Sequence, residues 1–223
     1  MPAPVALLDL DGTLIDPRPG ITQSVQAGLA AVGIEPRPAD AYVGWIGPPL
    51  RQSFLELGGV APGDLDRAVA GYRARFDRVG WREHDLYPGV VGVLAELRRA
   101  GWRLAVVTSK PEVYARRIVA HRDLDDAFDD VVGSELDGRR SAKAELVAHA
   151  LERLGGVEPA DAAMVGDREH DVIGAVACGV AAVGVAWGYG DPALLLAEGA
   201  VVVVEQPADL PTVLQRTVLG TAT

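Results

Sequence analysis

Two aspartates separated by one residue, in Asp9-Leu10-Asp11-Gly12-Thr13, follow directly on the apolar run Val5-Ala6-Leu7-Leu8. If extended geometry persists past that run, side chains two positions apart project from the same side. One carboxylate can then attack phosphorus while the other gives a proton to the departing oxygen, the division of labour that covalent phosphoryl transfer requires. Gly12 lets the backbone turn away sharply, and the Thr13 hydroxyl can hold the returning loop through a bond to the main chain. The same residues also suit an ordinary strand-to-loop turn, since Asp and Gly are common there.

A second acidic group, Gly166-Asp167-Arg168-Glu169-His170-Asp171, follows the apolar run Ala162 to Val165. Its two aspartates, four residues apart where a loop enters a helix, join Asp9 in an oxygen-rich set suited to Mg²⁺, which prefers carboxylates, carbonyls and water in octahedral geometry. Either one also suits a helix N-cap. Between the two acidic motifs stand Thr108-Ser109-Lys110, which closes the run Leu104 to Val107, and Lys143, near the start of a helical pattern. The hydroxyls and cations of these residues are suitable donors to phosphoryl oxygens, and Lys143 can neutralise the nucleophile. Taken one at a time, a turn ahead of Pro111 and a solvated lysine explain them equally well.

Such side chains need strands to deliver them. Short apolar runs recur at Val5 to Leu8, Leu104 to Val107, Ala162 to Val165, Val180 to Ala186 and Val201 to Val204, with Val131-Val132 a weaker candidate. Helical patterns lie between them at Val90 to Ala100, Glu112 to His121, Ala142 to Leu154 and Asp171 to Cys178, and Gly101, Gly155 and Gly179 are placed to stop three of them. The alternation predicts an α/β fold with a doubly wound parallel sheet, in which ligands gather at the carboxyl ends of strands. Asp9, Thr108 and Asp167 all fall at such ends. From about Gly20 to His84 the alternation stops; helical patterns at Ile21 to Val32, Leu50 to Leu57 and Leu65 to Val79 come with no convincing strand. This segment is expected to be a small inserted helical domain, entered through Asp16-Pro17-Arg18-Pro19-Gly20 and left through Tyr87-Pro88-Gly89. The predicted division is a core of 1–16 and 86–223 with an insertion of 17–85, and the end from Leu219 is expected to fray.

The 223 residues are 49% apolar and 23% charged, as in a globular protein. An excess of 31 acidic over 21 basic residues gives a net charge of -10, which argues against nucleic acid and anionic membrane surfaces as partners. A small anionic substrate stays compatible with it, because a metal and a few cations reverse the field locally. Cys178 is the single cysteine, so the chain makes no internal disulfide, and a reducing cytoplasm is the expected setting. No signal peptide or membrane-spanning run is read. His84, His121 and His149 are dispersed, and His170 lies within the second acidic motif.

The four motifs, in this order, resemble the haloacid dehalogenase superfamily, in its phosphoglycolate-phosphatase-like branch, over nearly the whole chain. The resemblance implies a Rossmann-like core with Asp9 as nucleophile and metal ligand, and Asp11 as acid/base and metal ligand through its backbone carbonyl. Thr108 and Lys143 become phosphate-binding residues, and Asp167 holds Mg²⁺ with Asp171 as a ligand or an anchor beside it. Thr13, Ser109, Lys110 and Arg51 are expected on the substrate side. The helical insertion resembles a mobile cap, with Gly44 to Arg51 similar to its substrate-contacting loop, where Arg51 grips a second anionic group or is simply solvated. Trp187-Gly188-Tyr189-Gly190 resembles a recurrent segment near the active-site rim, and its aromatics also suit packing. One departure is Ser141-Ala142-Lys143-Ala144, where the branch more commonly has a lysine-proline pair.

A dinucleotide-binding oxidoreductase is disfavoured because no Gly-x-Gly-x-x-Gly follows the first strand. A dehalogenase has no use for an acid at Asp11. The expected activity is Mg²⁺-dependent hydrolysis of a small phosphorylated metabolite by a monomer or homodimer. Alternatives are a 5'-nucleotidase, a phosphotyrosine-directed phosphatase, a mutase or kinase-like phosphotransferase using the same aspartate, and last a non-catalytic regulatory protein.

Overall fold

A computed structural model describes residues 2–220. The chain divides into two compact units, Met1–Ile15 with Leu86–Thr223, and Asp16–Asp85.

The first unit is built on strand β1 (Val5–Leu8). Two short strands follow in the chain, β2 (Ile15–Asp16) and β3 (Asp85–Leu86), which pair with one another at the two points where the chain passes between the units. The rest alternates: helix α4 (Val90–Arg99), β4 (Arg103–Pro111), α5 (Glu112–His121), β5 (Asp130–Ser134), α6 (Lys143–Arg153) and β6 (Ala162–Gly166). Next come α7 (Glu169–Ala177), β7 (Ala181–Val185), α8 (Pro192–Ala197), β8 (Val202–Val204) and α9 (Leu210–Leu219). The sheet has six strands in the order β5-β4-β1-β6-β7-β8, and every pairing in it is parallel. Strand order reverses at β1, so the crevice outside the carboxyl end of β1 is where the topology places a ligand. The expected doubly wound parallel sheet is the one observed.

The strands read as continuous apolar runs because both of their faces are covered. Val5 and Leu7 of β1, Ala105 and Val107 of β4, and Ala162 and Met164 of β6 pack with Leu146, Val147 and Ala150 of α6, Val172 and Ala175 of α7, and Leu195 of α8. The alternate residues Ala6, Leu8, Val106, Ala163 and Val165 are equally buried, and α4 and α9 contact the sheet and each other. The weak candidate at Val131-Val132 is a five-residue edge strand. β4 runs on to Pro111, beyond the apolar run that marks it. Helix α7 begins two residues before Asp171. The last helix closes at Leu219; of the end expected to fray, 221–223 lie outside the described residues. Among the described residues no helix is long and apolar enough to cross a membrane.

The second unit holds α1 (Arg18–Ala31), α2 (Leu50–Glu56) and α3 (Leu65–Arg78). An aromatic file runs through it, Tyr42 to Trp45 to Phe54 to Tyr72, each pair edge to face with ring centroids 5.1–6.4 Å apart, ending in Tyr72 stacked on Phe76. Such contacts add about 0.5–1.5 kcal/mol each beyond burial. Trp45, in the segment likened to a substrate-contacting loop, is thus packed among the unit's own aromatic rings, and Ile46 beside it is buried.

Candidate active site

The sheet fixes Asp9 before any side chain does. Its N–H donates to the Val165 carbonyl at 2.9 Å, extending the pairing of β1 with β6 by one residue. The chain then folds back: the N–H groups of Leu14 and Ile15 donate to the Leu10 carbonyl at 2.9 and 3.0 Å. Gly12 takes φ +88°, in the left-handed region, and a Cβ there would lie 2.2 Å from Asp167 Oδ2. Conformation and space both require glycine at that point.

Around this turn the other motifs converge. Lys143 is the first residue of α6, and its ammonium uses all three protons: Asp9 Oδ1 at 2.9 Å, Asp171 Oδ1 at 2.6 Å and the Val107 carbonyl at 3.1 Å. Lys110 Nζ is 2.6 Å from Asp11 Oδ2. A register shift between β4 and β5 falls between Thr108 and Pro111, the stretch that carries Lys110; such irregularities re-aim side chains. Asp171 does two jobs, because its Oδ2 accepts from the Arg168 N–H at the start of α7, 3.0 Å, while Oδ1 faces Lys143. Asp167 Oδ2 accepts from the Tyr189 N–H at 2.8 Å, and the Thr13 hydroxyl donates weakly to Oδ1 at 3.4 Å. Thr108 is buried at the end of the apolar part of β4.

Two of the sequence-predicted residues do otherwise. The Ser109 hydroxyl donates to the Ser141 carbonyl at 3.2 Å, tying β4 to the segment ahead of Lys143. Arg51 lies in the other unit, where its guanidinium is 2.8 Å from Asp66 Oδ1 and half exposed.

Asp9, Asp11, Asp167 and Asp171 are buried together with Lys110 and Lys143. Four carboxylates against two ammonium groups leave a formal charge of about −2 in a region where uncompensated charge is costly. One oxygen from each of Asp9, Asp167 and Asp171 lies within 4.8 Å of the others, and Asp11 Oδ1 is buried with no hydrogen-bond partner. A divalent cation among these oxygens would close the charge count, and hard oxygen donors are what such a cation takes.

Titration follows from the same crowding. Burial, then Asp171 and Asp9, push the Asp167 carboxyl up to about 8. Burial also raises Asp171, with Lys143 opposing and Asp9 adding to the shift, and it raises Asp11 against the pull of Lys110. Burial would lower Lys143, but Asp171 and Asp9 overcome it and hold the ammonium above its usual range. An acid raised in the folded state binds its proton more tightly there than in the unfolded chain, so its contribution to stability is full at low pH and is lost as pH rises to the folded value. For Asp167 that window ends near pH 8. Metal-free protein is therefore expected to lose melting temperature relative to metal-free Asp167→Asn between about pH 5 and pH 8. A constant difference across that range would refute the shift.

The family model described as a haloacid dehalogenase-like hydrolase matches residues 4–179. The chain belongs to this family. It is accordingly an enzyme, a haloacid dehalogenase-like hydrolase. A 5'-nucleotidase of Pseudomonas aeruginosa is 44% identical over 187 residues, covering 84% of each chain. The tyrosine-protein kinase PtkA of Mycobacterium tuberculosis is 40% identical over 83% of this chain, which spans only 63% of that protein's length. A plasmid phosphoglycolate phosphatase of Cupriavidus necator is 34% identical over 96% of this chain and 94% of its own. Among solved structures, a predicted phosphatase from Clostridium acetobutylicum superposes with a TM-score of 0.91 at 36% identity, covering 96% of this chain and 100% of that one.

Sequence reasoning about this hydrolase missed two contacts. The Tyr189 N–H on Asp167 leaves no trace in residue type, since every residue but proline carries that donor. The Lys110 pairing with Asp11 depends on where β4 shifts register, which no local pattern marks.

Proposed function

We propose that the protein is an Mg²⁺-dependent phosphatase that hydrolyses a small organic phosphate monoester, in the cytoplasm, through an aspartyl-phosphate on Asp9. The observation that carries this reading is the buried Asp9–Lys143–Asp171 bridge, with Lys143 Nζ 2.9 and 2.6 Å from the two carboxylates, beside the unpartnered oxygen of Asp11. Asp9 and Asp167 would hold the metal, with the Asp11 main-chain carbonyl and with Asp171 as a ligand or an anchor. When bound, Mg²⁺ supplies countercharge to the transferring phosphoryl group.

The chain's own residues do the rest. An Asp9 oxygen forms a bond to phosphorus as the bond from phosphorus to the ester oxygen breaks, and that oxygen takes the proton of Asp11. Water then adds to phosphorus, returning a proton to Asp11 and releasing phosphate and the Asp9 carboxylate. Lys143, its three protons already engaged, steadies the phosphoryl oxygens by its charge and Thr108 by its hydroxyl, through both halves. Lys110 holds Asp11, and Thr13 and Ser109 brace the loops that line the substrate side. The helical unit takes the part of a cap that excludes water, and Arg51 is its candidate for a second anionic group on the substrate.

Similarity favours two alternatives. The 44% identity to the 5'-nucleotidase supports a nucleoside monophosphate as the ester, and the 40% identity to the tyrosine kinase supports an acceptor other than water. A phosphate-release screen across phosphoglycolate, nucleoside monophosphates, sugar phosphates and phosphotyrosine, with Mg²⁺ and with chelator, tests the proposal. Release from at least one ester, abolished by chelation and restored by Mg²⁺, is expected. Release indifferent to chelator would sink the metal assignment, and transfer from ATP to protein with no ester hydrolysed would replace the phosphatase by a phosphotransferase.

A further inference from the structure

The two acidic motifs stand at the ends of different strands, and a cation shared by Asp9, Asp167 and Asp171 needs their carboxylates turned to the same point. Asp167 is fully buried, so a swing of its carboxylate away from the cluster has to be blocked by whatever packs against it. The four residues that follow β7 and Ala186 do this. The Trp187 indole N–H donates to the Thr13 carbonyl at 3.0 Å, across 174 residues of sequence. Two residues on, the Tyr189 N–H donates to Asp167 Oδ2 at 2.8 Å, and the Tyr189 carbonyl accepts from Arg168 Nη1 at 3.3 Å. Between and after these contacts the chain comes as close as glycine permits. A Cβ on Gly188 would lie 2.3 Å from Asp167 Cβ and 2.4 Å from the Gly12 carbonyl oxygen, and one on Gly190 would lie 1.7 Å from the Asp167 carbonyl oxygen.

One segment therefore grips the turn that bears Asp9 and Asp11 at one end and Asp167 at the other. We infer that Trp187-Gly188-Tyr189-Gly190 is a positioning strap for the cation site, which holds Asp167 toward Asp9 and so sets the affinity for the metal. The inference rests on the Mg²⁺ reading above. Trp187 acts through Thr13, and Gly188 and Tyr189 act through Asp167. Because the strap is in place in the folded protein, the cation need not order the carboxylate on arrival, and an ordering cost of that kind otherwise subtracts from binding. What matters is one indole N–H, one main-chain N–H and two missing β-carbons.

The test is Mg²⁺ binding by titration calorimetry on metal-free full-length protein, unsubstituted and with Trp187→Phe or Gly188→Ala. Phenylalanine keeps an aromatic ring at a half-buried position while removing the N–H and part of the ring's bulk. Groups that orient metal ligands typically account for about 10–100-fold in affinity. Trp187→Phe is expected to weaken Mg²⁺ about 10-fold and Gly188→Ala about 100-fold. For Trp187→Phe the metal-free melting temperature should stay within about 3 °C of the unsubstituted protein, and kcat should recover as Mg²⁺ is raised. A purely structural role would do the reverse, lowering metal-free stability and leaving the Kd for Mg²⁺ alone. Equal Mg²⁺ affinity in the unsubstituted protein and Trp187→Phe overturns the strap while the metal site stands, even if Gly188→Ala fails to fold. Absence of Mg²⁺ binding by the unsubstituted protein overturns both.

Discussion

Asp9→Asn is expected to drop Mg²⁺-dependent phosphate release by at least roughly 10⁴-fold, because an amide cannot form the phosphoenzyme and the neighbouring carboxylates are assigned to proton transfer and to the cation. The substitution keeps the size of the side chain, but its uncharged oxygen is a poorer partner for Lys143, which lies 2.9 Å from Asp9 Oδ1. Asp11→Asn should behave differently. Its loss, about 10²–10⁴-fold, falls on proton transfer in both halves of the reaction, and the leaving oxygen then departs without a proton. Quenched reactions of the unsubstituted enzyme with a labelled ester should yield acid-stable, base-labile protein-bound phosphate, and Asp9→Asn should yield none. Normal release from a pure preparation of Asp9→Asn would end the covalent mechanism.

Lys143→Met should carry the largest cost in stability. The ammonium is 4% exposed and is held by two carboxylates and a carbonyl, so its removal leaves Asp9 and Asp171 buried without their countercharge. Breaking buried pairs on one side typically costs about 3–5 kcal/mol, which in a domain of this size lowers the melting temperature by roughly 6–20 °C. Saturating Mg²⁺ should restore part of the loss, since the cation supplies positive charge to the same oxygens. Lys143→Arg keeps the charge but not the fit and should fall between the two. A melting temperature unchanged in metal-free Lys143→Met would show that the bridge contributes nothing to the fold, and undiminished phosphate release would remove Lys143 from the site.

The parts of the fold that could be read from the sequence are those whose signal is burial. β1, β4, β6 and β7 are covered on both faces, so each leaves an uninterrupted apolar run, and the helices between them keep a 3.6-residue period with glycine at their ends. The signal fails where burial is partial or polar. β5 lies at the sheet edge and shows only Val131-Val132 as a run. β4 stays extended through Thr108, Ser109 and Lys110, and these are polar because the strand has entered the site. α8 is six residues long, too short to show a period, and α9 has Pro207 and Pro211 about its start, which read as a loop rather than as the first turn of a helix. In the site, Asp9, Asp11 and Asp167 announce themselves as carboxylates just past strand ends, and Asp171 as one in the first turn of the helix that follows. Lys143 does not, because a lysine on a helix is ordinarily solvated. Its burial depends on α6 packing beneath β4, a fact of topology and not of local pattern.

The places where the chain leaves and rejoins the α/β unit bear on how such a protein changes over time. Ile15–Asp16 pairs with Asp85–Leu86, and within the α/β unit the Tyr87 N–H donates to the Leu14 carbonyl at 3.1 Å. The helical unit closes on itself in the same way, with the Gly20 N–H 3.1 Å from the Glu83 carbonyl. Neighbouring strands lie about 5 Å apart, so the chain leaves and rejoins the α/β unit at adjacent points. Modules joined in this manner can be lengthened, exchanged or lost with little disturbance to the host domain. Substrate choice, if it resides in the inserted module, is then free to drift while the four aspartates and two lysines stay where they are.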